Sequence, residues 1–183
     1  MTTEWPYPEP EDDGGAAHLV PGLAMPALAL DSIAGGKIDL SLVAGLSVVF
    51  VYPWTGRPGR DNPPAWDTTP GAHGSTPQLE SARDLYPKFK AAGAHVFGLS
   101  GQESRDQREF ARRVAIPFEI LSDADLIFAR ALSLPVFVAG ATTYLKRLTL
   151  VVRSGRLVKA FYPVHPPDVH PAIVLAWLRR DNR

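Results

Sequence analysis

Apolar runs typical of buried strands alternate with segments of helical periodicity along the chain. The run LSVVFVYP, residues 46–53, is β-branched or aromatic at most positions and predicts a strand buried on both faces of a parallel sheet. The runs AHVFGLS (94–100) and PFEILSD (117–123) predict two further strands. The pattern therefore favours an α/β domain.

Helical periodicity separates these runs. Apolar residues recur every three or four positions after residue 74 and predict one buried stripe, made of Leu79, Ala82, Tyr86 and Phe89. Pro77 fits the first helical turn, whereas Pro87 is predicted to kink or shorten the helix. Three more helices are predicted within residues 103–114, 123–134 and 166–180.

The two ends of the domain are predicted to carry antiparallel strands. Residues 21–43 contain two apolar runs around an Ala-Gly-Gly turn, which indicates a hairpin, and residues 143–164 predict two strands around the turn Ser154-Gly155. Together with the alternating elements, this predicts one domain over residues 18–183, with a central mixed sheet flanked by helices. Residues 1–17 are acidic and Pro-rich, lack periodicity, and are predicted to form a flexible tail.

Composition narrows the function classes. The 19 basic and 19 acidic residues cancel, so there is no electrostatic case for nucleic acid. There is no basic amphipathic run for a membrane surface, no apolar stretch of membrane-spanning length and no signal-peptide pattern, so we expect a cytoplasmic protein. The chain has no cysteine, which excludes a disulfide framework, a thiolate metal site and thiol chemistry by this polypeptide.

Ser75 occupies a position that suits negative charge. It follows Gly74 at the start of the first predicted helix, where free backbone N–H groups and the helix dipole favour an anion. The preceding strand delivers the chain to the ligand-facing end of an open α/β sheet. Arg147, on a later strand, could reach the same place if it faces inward. The ordinary interpretation is that Ser75 caps the helix.

Several blocks, in order and at suitable spacing, resemble one family. They are VVFVYP (48–53), GSTPQLESARDLYPKFKAAGAHVFGLS (74–100), FARRVAIPFEILSDAD (110–125) and KRLTLVVRSGRL (146–157). From Pro21 to Leu178 the chain resembles a peroxiredoxin of the alkyl hydroperoxide reductase and thiol-specific antioxidant group, in its bacterioferritin-comigratory or peroxiredoxin Q-like branch.

The resemblance implies a thioredoxin-like fold and a thiol peroxidase that reduces hydrogen peroxide or alkyl hydroperoxides, without a cofactor. It places Ser75 at the peroxidatic cysteine position, Arg147 at the arginine that orients the peroxide, and Pro53 at the start of the active-site motif. The motif's threonine is Thr55 or Thr69, because an insertion within residues 54–70 departs from the family pattern. Loops of this length are uncommon in compact domains and are usually functional or disordered.

The serine leaves two functions open. A thiolate is oxidised by peroxide to sulfenic acid, and a serine hydroxyl is not. The chain is therefore either an inactive Cys→Ser variant of a thiol peroxidase or a naturally cysteine-less binding or regulatory protein. Many relatives carry a resolving cysteine where this chain has Glu80. An active form would thus need an external thiol, such as thioredoxin, glutaredoxin or glutathione, and would act as a monomer or homodimer.

Weaker signals concern histidines and tryptophans. His73 lies near Ser75, but no partner acid is evident for a serine nucleophile. The histidines of HPPDVH (165–170) are predicted to lie in a solvated loop rather than to bind metal. Trp54 and Trp66 either pin the long loop onto the domain, form an apolar wall beside the peroxide pocket, or build a dimer contact.

Overall fold

The computed structural model describes residues 5–181. Its strands are β1 (Ala29–Ser32), β2 (Lys37–Asp39), β3 (Leu46–Val51), β4 (Ala94–Ser100), β5 (Glu119–Ser122), β6 (Val136–Ala139), β7 (Thr142–Leu145), β8 (Leu148–Arg153) and β9 (Arg156–Phe161). Its helices are α1 (Ser75–Ala91), α2 (Ser104–Arg113), α3 (Ile127–Ala131) and α4 (His170–Asp181), with a 3₁₀ turn at Trp66–Thr68.

One mixed sheet forms the centre of the domain. Within the described residues its seven strands follow the order β2-β1-β5-β4-β3-β8-β9. Strands β3, β4 and β5 are parallel, and β8 runs antiparallel beside β3. Strand β9 pairs antiparallel with β8 at one edge, and the β1–β2 hairpin forms the other edge, with β1 antiparallel to β5. The predicted mixed sheet and both predicted hairpins are confirmed.

Strand β3 is buried on both faces, as its composition predicts. All six of its residues are buried, and alternation sends successive side chains into two different cores. Val49 and Val51 join the core that contains α3, whereas Val48 and Phe50 join the core that contains α1 and α4. The strand therefore fixes both layers of helices, and its carboxyl end feeds the long loop that leads to Ser75.

Helix α1 continues past its internal proline. It runs to Ala91 with Pro87 inside it, so the predicted shortening is wrong. Pro87 is exposed. The backbone carbonyl that loses its hydrogen bond therefore lies on the side of the helix that water reaches, where the loss costs least.

The region before β8 forms a separate ribbon that the sequence pattern did not predict. Residues 142–145 do not continue into β8 but pair with β6 in a two-stranded sheet of their own. Phe137, Ala139 and Tyr144 of this ribbon pack against Trp66 of the long loop. The long loop and the ribbon are far apart in the sequence, so the local alternation of apolar and polar residues could not predict their contact.

The described part of the predicted flexible tail is packed against the domain. Residues 1–4 lie outside the described residues. The backbone N–H of Gly71 donates to the carbonyl of Pro8 at 3.1 Å, and Lys146 Nζ donates to Asp13 Oδ2 at 2.6 Å. These contacts place residues of this segment against distant loops, whereas the predicted flexibility and the predicted domain boundary at residue 18 stay predictions.

A search of residues 5–181 for a membrane-crossing helix finds none that is both long and apolar enough.

The turn between β8 and β9 yields a test of the fold. Gly155 has φ +75°, and a Cβ there would overlap the backbone of Ser41, whereas Gly35 has φ +93° with no atom within 4 Å of such a Cβ. Gly155→Ala should lower the free energy of unfolding by about 3 kcal/mol, and the matched control Gly35→Ala by about 1 kcal/mol. Urea denaturation measures both. Equal losses would contradict the close approach of this turn to Ser41.

Candidate active site

Ser75 is the first residue of α1, and Gly74 is the cap. Gly74 has φ 109°, and a Cβ on it would overlap Pro167, so only glycine fits there without strain. Ser75 is 3% exposed. The interpretation of Ser75 as the helix cap is therefore wrong by one residue, because the capping position is taken by the glycine that the close packing requires.

Arg147 binds the start of α1 and the loop before it. The residue is 3% exposed and directly precedes β8, outside both β7 and β8, so its predicted position within a strand is corrected. Its Nη2 donates to Ser75 Oγ at 3.2 Å and to the carbonyl of His73 at 3.0 Å, and its Nη1 donates to Gln78 Oε1 at 2.6 Å. One guanidinium thus connects the sheet, the helix and the loop at the position of the Ser75 side chain.

The site is positively charged and closed to bulk water. Burial lowers the pKa of Arg147 to about 9, so the guanidinium is still charged at neutral pH. Among the described residues, its hydrogen-bond acceptors are an amide oxygen, a hydroxyl and backbone carbonyls, all of them uncharged. An anionic side chain at position 75 would therefore be stabilised by the guanidinium and by the start of α1.

Gln78 belongs to this site and was missed from the sequence. It is fully buried, and while its Oε1 accepts from Arg147, its Nε2 has no partner among the described residues. The sequence did contain an indication of this role, because Gln78 is a polar residue one turn after Ser75 on the helix face that carries the buried stripe of α1.

The two candidate threonines make hydrogen bonds away from Ser75. Thr55 is buried, and its Oγ1 donates to Gln102 Oε1 at 3.0 Å, whereas Thr69 is half-buried and its Oγ1 donates to the carbonyl of Ala65 at 2.7 Å. Pro53 is buried immediately beyond the end of β3. The structure therefore brings together Ser75 and Arg147, and the roles predicted for Pro53 and for either threonine stay predictions.

The long loop is pinned to the domain through Trp66. Trp66 is buried, with Trp54, Phe137 and Tyr144 at ring-centroid distances of 5.4, 5.6 and 5.0 Å. This arrangement matches the first of the three interpretations given for the tryptophans. It also holds Phe137 beside the site, where that ring forms one wall of a pocket of about 50 Å³ next to Arg147.

A histidine–carboxylate pair lies next to Ser75 but does not activate it. His73 Nε2 donates to Asp67 Oδ1 at 2.7 Å, so the statement that no partner acid is evident is corrected. The hydroxyl of Ser75, however, bonds to the guanidinium of Arg147, which is charged at neutral pH and so accepts no proton. Within residues 5–181, the side-chain hydrogen bond of Ser75 thus leads to no general base of the kind that a serine nucleophile needs.

His170 is a buried helix residue and does not lie in a solvated loop. It begins α4, is 4% exposed, and its Nε2 lies 2.9 Å from Thr149 Oγ1 in a hydrogen bond. Burial, assisted by the charge of Arg147, lowers the pKa of His170 to about 4, so the imidazole is neutral at pH 7. Within residues 5–181 no group of three or more metal-ligating side chains is present.

Comparison with known sequences points to one family. A sequence model of the Redoxin family matches residues 21–174. The chloroplastic peroxiredoxin Q of Oryza sativa subsp. japonica is 32% identical over 142 residues, which cover 77% of this chain and 58% of that protein. Peroxiredoxin Q of Suaeda salsa is 31% identical over 157 residues, covering 85% and 65%. The chain thus spans less than two thirds of the length of these curated relatives.

Solved structures share the fold over nearly the whole described chain. Peroxidoxin BcpB from Mycobacterium tuberculosis matches with a TM-score of 0.72 at 25% identity, covering 89% of this chain and 98% of that one. The bacterioferritin comigratory protein of Xanthomonas campestris, whose structures were described for alkyl peroxide reduction, matches with a TM-score of 0.72 at 24% identity, covering 90% and 100%. The predicted thioredoxin-like fold is confirmed.

The buried His170 yields a pH test. Its ordinary pKa of 6.5 falls to about 4 on folding, so unfolding takes up a proton between these two pH values. The free energy of unfolding should therefore fall as the pH is lowered from about 6.5 to about 4, by up to about 3 kcal/mol from this residue. His170→Gln should flatten this dependence, as measured by urea denaturation across the range.

The control is His95→Gln, because His95 is an exposed histidine of β4. The free energy of unfolding of this variant should depend on pH as in the parent chain. A pH dependence in His170→Gln equal to that of the parent would contradict the buried neutral imidazole.

Proposed function

The chain belongs to the redoxin family, in its peroxiredoxin Q and bacterioferritin-comigratory branch, and from this premise we propose that its Ser75–Arg147 site is a thiol peroxidase site whose active form carries a cysteine at position 75. The observation that carries the proposal is the hydrogen bond from Arg147 to the side-chain oxygen of Ser75 at the start of α1. Serine and cysteine are nearly isosteric, so a sulfur at this position would receive the same donor.

The site would hold a cysteine as the thiolate. The guanidinium of Arg147 and the free N–H groups of the first turn of α1 both favour a negative charge on residue 75 and so lower the pKa of a thiol there. Only the thiolate attacks peroxide, so this lowering makes the reaction possible at neutral pH. The fork of the guanidinium can also donate to a peroxide oxygen while it holds the sulfur.

The reaction transfers one oxygen. The thiolate sulfur attacks one peroxide oxygen, the O–O bond breaks, and the other oxygen leaves as water or alcohol after taking up a proton. The sulfur is oxidised to sulfenic acid. The chain has no second cysteine to resolve it, so two external thiols reduce the sulfenic acid and form a disulfide and water. Thioredoxin, glutaredoxin and glutathione are the candidate reductants, and hydrogen peroxide and alkyl hydroperoxides the candidate substrates.

A naturally cysteine-less binding or regulatory protein is the second candidate. The observation that favours it is Glu80, which stands where many relatives carry the resolving cysteine and lies 3.8 Å from Arg83 in an ion pair. A single conservative Cys→Ser change would explain Ser75 but not Glu80. The codon at position 75 in the source gene distinguishes the two candidates: cysteine supports the peroxidase, and serine supports the binding protein. A cytoplasmic location stays a prediction for both.

The chain with Ser75 should not turn over peroxide, because a hydroxyl at neutral pH is neither ionised nor oxidised by it. The measurement is consumption of hydrogen peroxide with dithiothreitol as reductant. The Ser75→Cys variant should consume peroxide in the same assay. Turnover by the unmodified chain, or none by Ser75→Cys, would contradict the proposal.

In Ser75→Cys the pKa of the thiol should lie well below its ordinary value of about 8.5. Thiolate absorbance against pH measures it. Adding Arg147→Ala or Arg147→Lys should slow the reaction with peroxide by about a hundred- to a thousandfold, because a donor aimed at developing charge typically contributes about 3 to 4 kcal/mol. Lysine keeps the charge but loses the planar fork.

The control is Arg112→Ala in the same Ser75→Cys chain, because Arg112 is an exposed arginine near the end of α2. Its peroxide rate constant should stay within about twofold of Ser75→Cys, as expected for a surface substitution. Circular dichroism verifies that each variant is folded. Equal rates for the Arg147 and Arg112 variants would contradict the role given to Arg147.

A further inference from the structure

Residues 5–13, called the strap below, lie across the loop that precedes Ser75. The ring of Tyr7 stacks on the imidazole of His73 with a centroid distance of 3.6 Å and an angle of 7°. The carbonyl of Pro8 accepts a hydrogen bond from the backbone N–H of Gly71 at 3.1 Å. The strap is thereby attached to Gly71 and to His73, both within the short segment that precedes Ser75.

The strap is fastened a second time on the far side of the site. Asp13 accepts from Lys146 Nζ and from the hydroxyl of Tyr162, each at 2.6 Å. Lys146 directly precedes Arg147, so this attachment lies next to the residue that binds Ser75. The neighbouring Asp12 accepts only a local turn bond from Gly14 at 2.9 Å among the hydrogen bonds of the described residues.

Between these contacts the strap covers one side of the pocket beside Arg147. Pro10 and Glu11 line this pocket of about 50 Å³ together with Phe137. A cavity that accepts benzene has about 150 Å³, so an aromatic hydroperoxide does not fit inside this pocket, whereas hydrogen peroxide does. Ser75 is 3% exposed and does not line the pocket, so a peroxide must pass between the strap and the loop to reach it.

We propose that the strap selects the substrate of the Ser75–Arg147 site by size, admitting hydrogen peroxide and excluding bulky organic hydroperoxides. This inference rests on the proposed peroxidase function and adds a substrate class to it. Opening the strap should widen the range of substrates without touching Ser75 or Arg147.

The first test measures access to position 75 without any peroxide chemistry. The measured quantity is the labelling rate of full-length Ser75→Cys with a bulky fluorescein maleimide divided by its rate with small iodoacetamide. This ratio should be much lower than the same ratio for a free thiol. Adding Tyr7→Ala and Asp13→Asn removes the stacking on His73 and the ion pair with Lys146, while the Pro8–Gly71 backbone bond and the contact of Glu9 with His165 remain. This loosening should raise the relative rate with the bulky reagent about tenfold. The matched control Asp12→Asn, which removes the same charge one residue away, should leave this ratio unchanged.

The second test uses substrates. In the same variants, the rate constant for cumene hydroperoxide relative to hydrogen peroxide should rise about tenfold when the strap is opened and stay constant in Asp12→Asn. Circular dichroism and urea denaturation confirm that the variants are folded.

The two tests separate the failure of each idea. If the labelling ratio changes but no variant consumes peroxide, the proposed peroxidase function is overturned. The strap then still restricts access to position 75, but its selection among peroxides is overturned as well. If peroxide is consumed but neither ratio changes on opening, the strap proposal is overturned and the peroxidase function stands. If the labelling ratio changes while the ratio of peroxide rates does not, selection by size is overturned.

Discussion

The buried guanidinium of Arg147 is the interaction on which the site depends. It reaches from the sheet to Ser75 and Gln78 on α1 and to backbone carbonyls of the preceding loop. A buried charge is costly unless it is well hydrogen-bonded. Here the hydrogen-bond acceptors belong to the start of α1 and to the loop before it, which are the segments that carry the side chain of residue 75. The same contacts that satisfy the guanidinium therefore fix the side chain at position 75 and make the site favourable to an anion.

The surrounding fold supplies these acceptors at the right place. Strand β3 is buried on both faces and ends at Val51, shortly before Pro53, and the long loop that follows leads to the start of α1. Trp66 holds this loop against the β6–β7 ribbon, and Gly74 allows the chain to turn into α1 against Pro167. A peroxidase with a thiol at position 75 and a binding protein with a serine there would share all of these constraints.

Regular elements were largely predictable from sequence, whereas contacts between irregular segments were not. Composition alone identified β3 as doubly buried, and the resemblance to peroxiredoxins paired Ser75 with Arg147. The burial of His170, the attachment of Tyr7 to His73 and the ribbon behind Trp66 were missed, because each arises from packing between segments distant in sequence. Local pattern carries no information on such contacts, and two of them lie directly at the site.

The most direct measurement of the central claim is a high-resolution crystal structure of Ser75→Cys kept reduced with dithiothreitol. The account predicts that the sulfur lies within hydrogen-bonding distance of Arg147 Nη2, that Gln78 Oε1 still accepts from Nη1, and that α1 still begins at residue 75. A sulfur turned away from the guanidinium, or an Arg147 side chain directed elsewhere, would contradict the claim that Arg147 organises this site.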